Sequence, residues 1–317
     1  MIEVNTIYNM DCLEGLRSMP DNYVDCCITS PPYYGLRDYG VDEQIGLEKS
    51  PEEYIEKLVE IFREIFRVLK PTGTLWLNIG DSYAFSGKGA AAYPENAMRY
   101  KQKTNKGTTG NRTSRKANYK CKKKDLIGIP WMLAFELRDN IGFYLRQDII
   151  WHKPNPMPEA VKDRCTRSHE YIFLFSKTKR YYYDNDAIKT PAKSRIRSQI
   201  IRHRKVDNLV PGNRYKTFQG INIPTTDMVN KRDVWTVSTK PEKNAHFATY
   251  PKELIEPCVL AGCPHGGIIL DPFMGTGTTA MVAREYGRNF IGFEINPLYM
   301  DIIKQKIIVT PNIFHKQ

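Results

Sequence analysis

A doubly wound α/β fold on a mostly parallel sheet is what this sequence predicts, on three observations. Short apolar runs alternate with stretches of helical periodicity near both ends of the chain. Two of those runs stop abruptly, one on a pair of prolines and one on a glycine-rich loop. Between them lies a long polar and basic region, as expected of material inserted outside the core.

The elements follow in order. Thr6-Ile7-Tyr8 reads as a short strand, and a helix starts near Cys12. Residues 24–28 are almost wholly apolar, the pattern of a strand covered on both faces. Pro31 and Pro32 forbid further ladder pairing and end it. Pro51-Glu52-Glu53 opens a long helix, with Ile55, Leu58, Val59, Phe62, Ile65, Phe66 and Leu69 at three- and four-residue spacing. Lys70-Pro71-Thr72-Gly73 is expected to end it in a turn, with residues 74–79 a buried strand. Regular pattern returns with a helix over 130–139 and strands over 144–151 and 171–175. The chain closes on a helix over 251–261, a strand over 267–270, a glycine turn, a helix over 278–286 and a strand over 289–295.

The 317 residues can bury one large domain with an insertion. With 41% hydrophobic and 26% charged residues the composition is that of a globular enzyme, but the net charge of +12 favours a polyanionic partner. That charge is concentrated. Residues 99–124 hold eleven Lys or Arg and no acid, and residues 187–232 hold eleven against Asp207 and Asp227. The first stretch belongs to a basic flexible loop over 81–124; the second is also rich in Asn, Gln and Thr, which can bond base edges as well as phosphates. The expected organisation is therefore one domain from 1–186 and 233–317, with 187–232 set into it.

Seven scattered cysteines, adjacent at Cys26 and Cys27, read as reduced thiols, and the spacing of Cys258, Cys263 and His265 matches no standard zinc site, so no metal is expected. The N-terminus lacks signal-peptide layout and no apolar run has membrane-spanning length, which points to a cytoplasmic protein with no membrane partner.

Two motifs carry chemistry. In Leu270-Asp271-Pro272-Phe273-Met274-Gly275-Thr276-Gly277-Thr278-Thr279 an apolar strand ends in an acid and a glycine turn feeds a helix. Glu294 ends the next strand, where a carboxylate can accept both ribose hydroxyls of a nucleoside. An acid before the glycines, with no lysine after them, disfavours a phosphate ligand. It suits the cationic amino acid end of S-adenosylmethionine. Asp271, Phe273, Gly275, Gly277, Thr278 and Glu294 are thus the expected cofactor residues.

The second motif is Thr29-Ser30-Pro31-Pro32-Tyr33-Tyr34. An exocyclic amine on a base is a poor nucleophile because its lone pair is delocalised into the ring. Acceptors that draw its hydrogens out of plane restore that lone pair. The Ser30 hydroxyl and the Pro31 carbonyl, stiffened by Pro32, can do so while the Tyr33 ring stacks on the base. Both motifs end strands of one parallel sheet, whose carboxyl ends line a single crevice where strand order reverses. The base would have to leave the duplex to reach it.

These motifs, with the segments Trp151-His152-Lys153-Pro154-Asn155-Pro156-Met157-Pro158, Ser168-His169-Glu170-Tyr171-Ile172-Phe173 and His246-Phe247-Ala248-Thr249-Tyr250-Pro251, resemble the β-class DNA amino-methyltransferases over nearly the whole chain. The resemblance implies a Rossmann-like, S-adenosylmethionine-dependent methyltransferase fold in circularly permuted motif order. It also implies that Asp11 lies near the cofactor's adenine, that Phe247 and Thr249 lie beside its methionine end, and that 187–232 is the target-recognition insertion. Met274 stands where that family often has glycine, a loop position expected to tolerate it. Serine at the first place of the Ser-Pro-Pro-Tyr motif is associated with cytosine N4 products, aspartate with adenine N6. The expected activity is methylation of cytosine N4 in double-stranded DNA by a monomer or homodimer, with a possible cognate restriction endonuclease. Adenine N6 methylation and a catalytically inactive DNA-binding regulator are the alternatives.

Blander readings stand beside these. His169 fits either a ring packed against the sheet or the target-base pocket, and Trp76, Trp151 and Trp235 fit core positions. Pro257-Cys258 is not read as the nucleophile of a cytosine C5 enzyme, because it falls inside a helix and not after the target strand.

Overall fold

In the computed structural model, residues 2–35, 44–84, 120–192, 227–239 and 250–309 are described. The chain divides into two compact units, 1–184 with 233–317, and Asn185–Arg232. The expected basic loop falls largely outside the described residues, as does most of the second basic stretch.

The larger unit is built on an eight-stranded sheet. In chain order its elements are β1 (Thr6–Tyr8), α1 (Cys12–Arg17), β2 (Val24–Thr29), α2 (Pro51–Val68), β3 (Leu69–Ile79), α3 (Ile129–Glu136), β4 (Tyr144–His152) and β5 (His169–Ser176). After the smaller unit come β8 (Val234–Thr236), α4 (Lys252–Gly262), β9 (Ile268–Asp271), α5 (Thr278–Glu285), β10 (Asn289–Phe293) and α6 (Pro297–Val309). The sheet order is β1-β10-β9-β2-β3-β5-β4-β8. From β1 to β3 all neighbours are parallel; β5 runs antiparallel to both β3 and β4, and β8 lies parallel to β4 at the edge. Among the described residues of the smaller unit, β6 (Thr190–Pro191) and β7 (Met228–Val229) form an antiparallel pair.

The central strands are apolar because both faces are covered. Cys26, Cys27, Ile28, Leu75, Trp76, Leu77, Ile269, Leu270 and Ile291 are all at most 2% exposed. Helix α2 supplies one cover. Ser50 caps it by accepting from Glu53 N at 3.1 Å, Pro51 starts its first turn, and Tyr54, Ile55, Leu58, Ile61, Phe62, Ile65 and Val68 form its buried face. Val59 and Phe66, expected on that face, lie half-buried at its margin.

One boundary differs from expectation. Strand β3 begins at Leu69, and the anticipated turn at 70–73 is a bulge within it, since the register passes from Val24–Leu69 to Cys26–Thr74. Gly73 is needed there, because a Cβ would come within 2.9 Å of the Lys70 carbonyl and of the Leu69 side chain. Pro71 is exposed on the bulge, where its missing N–H costs no ladder bond. The three tryptophans Trp76, Trp151 and Trp235 are core residues. Cys258 is buried in α4 at 1% exposure, away from any serine-turn role. Among the described residues no helix is long and apolar enough to cross a membrane.

Candidate active site

β2 and β9 are immediate parallel neighbours, registered Cys26–Ile269 and Cys27–Leu270. Their last residues, Thr29 and Asp271, therefore end side by side. From β2 the chain goes to β3 on one side, and from β9 to β10 on the other, so the topological switch point lies between them. Thr29 Oγ1 donates to Asp271 Oδ1 at 2.7 Å, a direct bond between motifs 242 residues apart. The serine turn and the glycine turn open from that shared edge.

The glycine turn is held by two acids. Asp271 has no exposed surface. Its Oδ1 accepts from Thr29 Oγ1 and, at 3.1 Å, from Phe273 N; its Oδ2 accepts from Thr279 Oγ1 at 2.5 Å and from Tyr250 OH at 3.0 Å. Burial pushes its carboxyl upward, and the four donors oppose that shift. Asp271 thus lies at the base of the turn, with its oxygens against donors of the protein. Tyr250, which also hydrogen-bonds Thr279, was missed as part of this cluster.

Glu294 differs. It ends β10 at 8% exposure, with Oε2 accepting from Gly275 N and Oε1 from Asn296 N, each at 2.8 Å. One acceptor position per oxygen is left over among the described residues. Burial raises its pKa to about 7. Gly277, at φ +81°, caps α5 in the left-handed region that other residues avoid. Phe273 is half-buried and Thr278 buried at the start of α5. Met274, in the loop between β9 and α5, is buried at 3%. Its side chain lies on Gly292, where a Cβ would come within 2.2 Å of Met274 Cε. Asp11 caps α1, its Oδ1 accepting from Leu13 N at 2.8 Å and Glu14 N at 3.1 Å. Because Tyr8 pairs with Phe293, Asp11 sits at the same end of the sheet as Glu294. Phe247 and Thr249 lie outside the described residues.

The serine turn is held from the other side of the sheet. Pro31 is buried, and the Pro32 carbonyl accepts from Tyr54 OH of α2 at 2.8 Å. Among the described residues nothing donates to the Pro31 carbonyl. Ser30 is half-buried. Tyr33 is less free than a stacking platform would be. Its hydroxyl donates to Glu170 Oε2 at 2.8 Å and lies 3.3 Å from Asn78 Oδ1, while its ring lies on Gly80. A Cβ at Gly80 would come within 2.7 Å of that ring. Burial and the Glu170 charge push the Tyr33 phenol well above its usual range.

Glu170 is in turn paired to Lys153, whose ammonium sits 4.1 Å from the centre of the Trp151 ring. The β4–β5 register, Trp151–Glu170 and His152–His169, brings Lys153 beside Glu170. Asn78, Lys153 and Glu170 had no role assigned from the sequence. His169 is half-buried with its ring edge-on to Tyr171, and burial lowers its pKa.

A doubly wound sheet with a glycine turn and a serine turn at one switch point is the arrangement of nucleotide-binding α/β proteins. The comparisons narrow this: a DNA methylase family model, covering the N6- and N4-methyltransferases, matches residues 24–305, and the chain belongs to that family. It is 44% identical to type II methyltransferase M.Cfr9I of Citrobacter freundii over 312 residues, covering 96% of this chain and 89% of the relative. It is 43% identical to M.SmaI of Serratia marcescens, covering 94% and 89%. Among solved structures, the cytosine-N4-specific PvuII DNA methyltransferase superposes with TM-score 0.64 at 18% identity, covering 96% of this chain and 87% of that one. A Thermus thermophilus modification methylase, TTHA0409, solved with S-adenosylmethionine, gives 0.58 at 23% identity, covering 96% and 93%. These two likenesses establish the fold, and the chain is a DNA methyltransferase of the type II group.

Proposed function

We propose that the protein methylates cytosine N4 of a specific double-stranded DNA sequence, using S-adenosylmethionine. The observation that carries this reading is the Thr29–Asp271 bond, which sets the two turns edge to edge at the switch point.

The chain's residues fit the cofactor. Glu294 has an acceptor left on each oxygen for two adjacent hydroxyls, Asp11 brings a second carboxylate to the same end, and Phe273, Gly275, Gly277 and Thr278 shape the turn against it. Asp271 acts by holding that turn, which leaves the cationic end of the ligand to the segment with Phe247 and Thr249. S-adenosylmethionine supplies, when bound, a methyl group already activated on a sulfonium.

At the other turn, Ser30 Oγ and the Pro31 carbonyl accept the two amine hydrogens of a base swung out of the duplex, and localise its lone pair on nitrogen. Pro32 keeps the carbonyl from turning away. Tyr33 holds the base through its free face. Serine, not aspartate, in the first place of the motif supports cytosine N4 over adenine N6. The unit Asn185–Arg232, with the basic stretch it contains, is the target-recognition part, where Lys and Arg position the duplex and polar side chains read base edges. The likeness to type II methyltransferases supports a place in a restriction-modification system, with a cognate endonuclease as partner in the cytoplasm.

Nucleoside analysis of DNA methylated in vitro tests the proposal. N4-methylcytosine is the expected product; N6-methyladenine alone would overturn the choice of base.

A further inference from the structure

A base stacks productively only on a ring that stands still. A tyrosine ring can leave its place in two ways: it swings about the Cα–Cβ bond, and it spins about the axis from Cβ to the hydroxyl oxygen. A hydrogen bond to the hydroxyl stops the swing but not the spin, because the oxygen lies on the spin axis. A contact on the flank of the ring stops the spin. Tyr33 has both.

We infer that Glu170 is a positioning residue for the target base: it anchors the Tyr33 hydroxyl against swinging, while Gly80, lacking a side chain, lets the ring settle on the backbone and lose its spin. This rests on the assignment of Tyr33 to the target site. The hydroxyl donates to Glu170 Oε2 at 2.8 Å, an anionic acceptor, and lies 3.3 Å from Asn78 Oδ1. Asn78 is near the end of β3 and Glu170 near the start of β5, brought together by the Ile79–Tyr171 pairing. A ring carried on the turn after β2 is thus pinned at its far end to two other strands of the sheet.

The anchor is itself held. Lys153 pairs with Oε1 of Glu170, the oxygen that does not serve Tyr33, and rests over the Trp151 ring. Asn78 Nδ2 donates to the Tyr171 carbonyl at 3.0 Å, which turns Oδ1 toward the hydroxyl. On the flank, a Cβ at Gly80 would come within 2.7 Å of Tyr33 Cε2 and 3.1 Å of Cδ2. Both atoms lie off the spin axis and on one side of the ring, where a contact resists rotation. Ser30 and the Pro31 carbonyl hold only the amine of a base. A fixed ring sets the plane of the base as well, and methyl transfer needs the nitrogen lone pair on one line with the donor.

The test is a double-mutant cycle of Glu170→Ala and Tyr33→Phe, read by single-turnover methyl transfer at saturating cognate duplex. Each should lower the rate about 10- to 100-fold, with DNA KM and S-adenosylmethionine affinity within about threefold of wild type. The double variant should be no slower than the worse single one, because Glu170 reaches the base only through the hydroxyl. Glu170→Gln, whose amide oxygen can still accept from that hydroxyl, should be faster than Glu170→Ala. Gly80→Ala should lower the rate in the wild-type background and cost nothing once Tyr33→Ala has removed the ring; should it fail to fold, the Glu170 cycle decides alone. A rate within twofold of wild type for Glu170→Ala or Tyr33→Phe overturns the inference. So do losses that multiply in the double variant, equal loss in Glu170→Gln and Glu170→Ala, and a loss matched by weaker cofactor binding. Tyr33→Ala separates this failure from a broader one. If it keeps full turnover, the target-site assignment of Tyr33 itself falls; if it is slow while Tyr33→Phe and Glu170→Ala match wild type, only the anchoring is lost.

Discussion

At the end of β9 the acid Asp271 is enclosed, and its partners come from β2, the glycine turn, α5 and Tyr250. At the end of β2 Ser30 is half-buried, and the acid that holds the neighbouring Tyr33 stands two strands away on β5. The first turn is made rigid by saturation with donors: a buried carboxylate ringed by them resists movement, since each donor it lost would be stranded. At the second, Tyr33 is held by Glu170, which is itself paired to Lys153 on the antiparallel wing. One turn has to hold a ligand of fixed shape. The other has to present an acceptor to a group that arrives from outside.

The largest expected effect falls on the saturated turn. Asp271→Ala leaves Thr29, Thr279 and Tyr250 hydroxyls buried without their acceptor, at a cost of about 3–5 kcal/mol. Denaturant unfolding should show this loss, and cofactor binding and turnover should fall together. An unchanged unfolding midpoint would mean that the carboxylate is not the clamp at all. At the serine turn the expectation is the reverse: Ser30→Ala should lower turnover roughly 10²- to 10³-fold, by analogy with loss of one oriented hydrogen bond in a transition state. Stability and cofactor affinity, by calorimetry, should barely move. Equal loss of both would erase the contrast between the turns.

Glu294 sharpens the comparison through pH. Its pKa in the folded protein is about 7, against an ordinary 4.5. A raised carboxyl pKa means that the folded state binds the extra proton, so the stability it brings is present below pH 4.5 and is lost as pH rises through 7. At about 1.4 kcal/mol per unit this amounts to about 3 kcal/mol. Between pH 4.5 and pH 8, wild type should therefore lose stability relative to Glu294→Gln, while the variant binds S-adenosylmethionine more weakly at both. A flat difference across that range would remove Glu294 as the titrating group. The smallest effect belongs to the shared edge. Thr29→Val breaks the bond between the turns and leaves one Asp271 lone pair unfilled, at about 1–2 kcal/mol. Its turnover should suffer more than its cofactor affinity, and Thr29→Ser should restore it; a variant with wild-type turnover would make the bond incidental to the reaction.

Much of this was readable in the chain. The strand over 24–28 and the strand over 267–270 announced themselves as apolar runs, because strands covered on both faces have no polar side to disguise them. Ser30 and Glu294 could be singled out because each follows its strand directly. What escaped was relational. Asp271 looked like a ligand group because nothing in its neighbourhood of sequence reveals that Thr29 and Tyr250 will fill it. That the loop residue Met274 is seated on Gly292 was not legible, because this depends on the β9–β10 pairing. Lys153 and Glu170 lay in recognised segments without a partner, since their meeting depends on the antiparallel register of β4 and β5. The expected turn at 70–73 became a bulge for a similar reason: Pro71 and Gly73 interrupt the ladder locally, but pairing with β2 resumes at Thr74 and carries the strand through.

The sequence by itself determined the elements, their alternation and the two turns, because periodicity, proline and glycine act over a few residues of backbone. Only the tertiary structure decided which donors surround each acid. That depends on where each carboxylate's lone pairs find donors, and those donors arrive from strands up to 242 residues away.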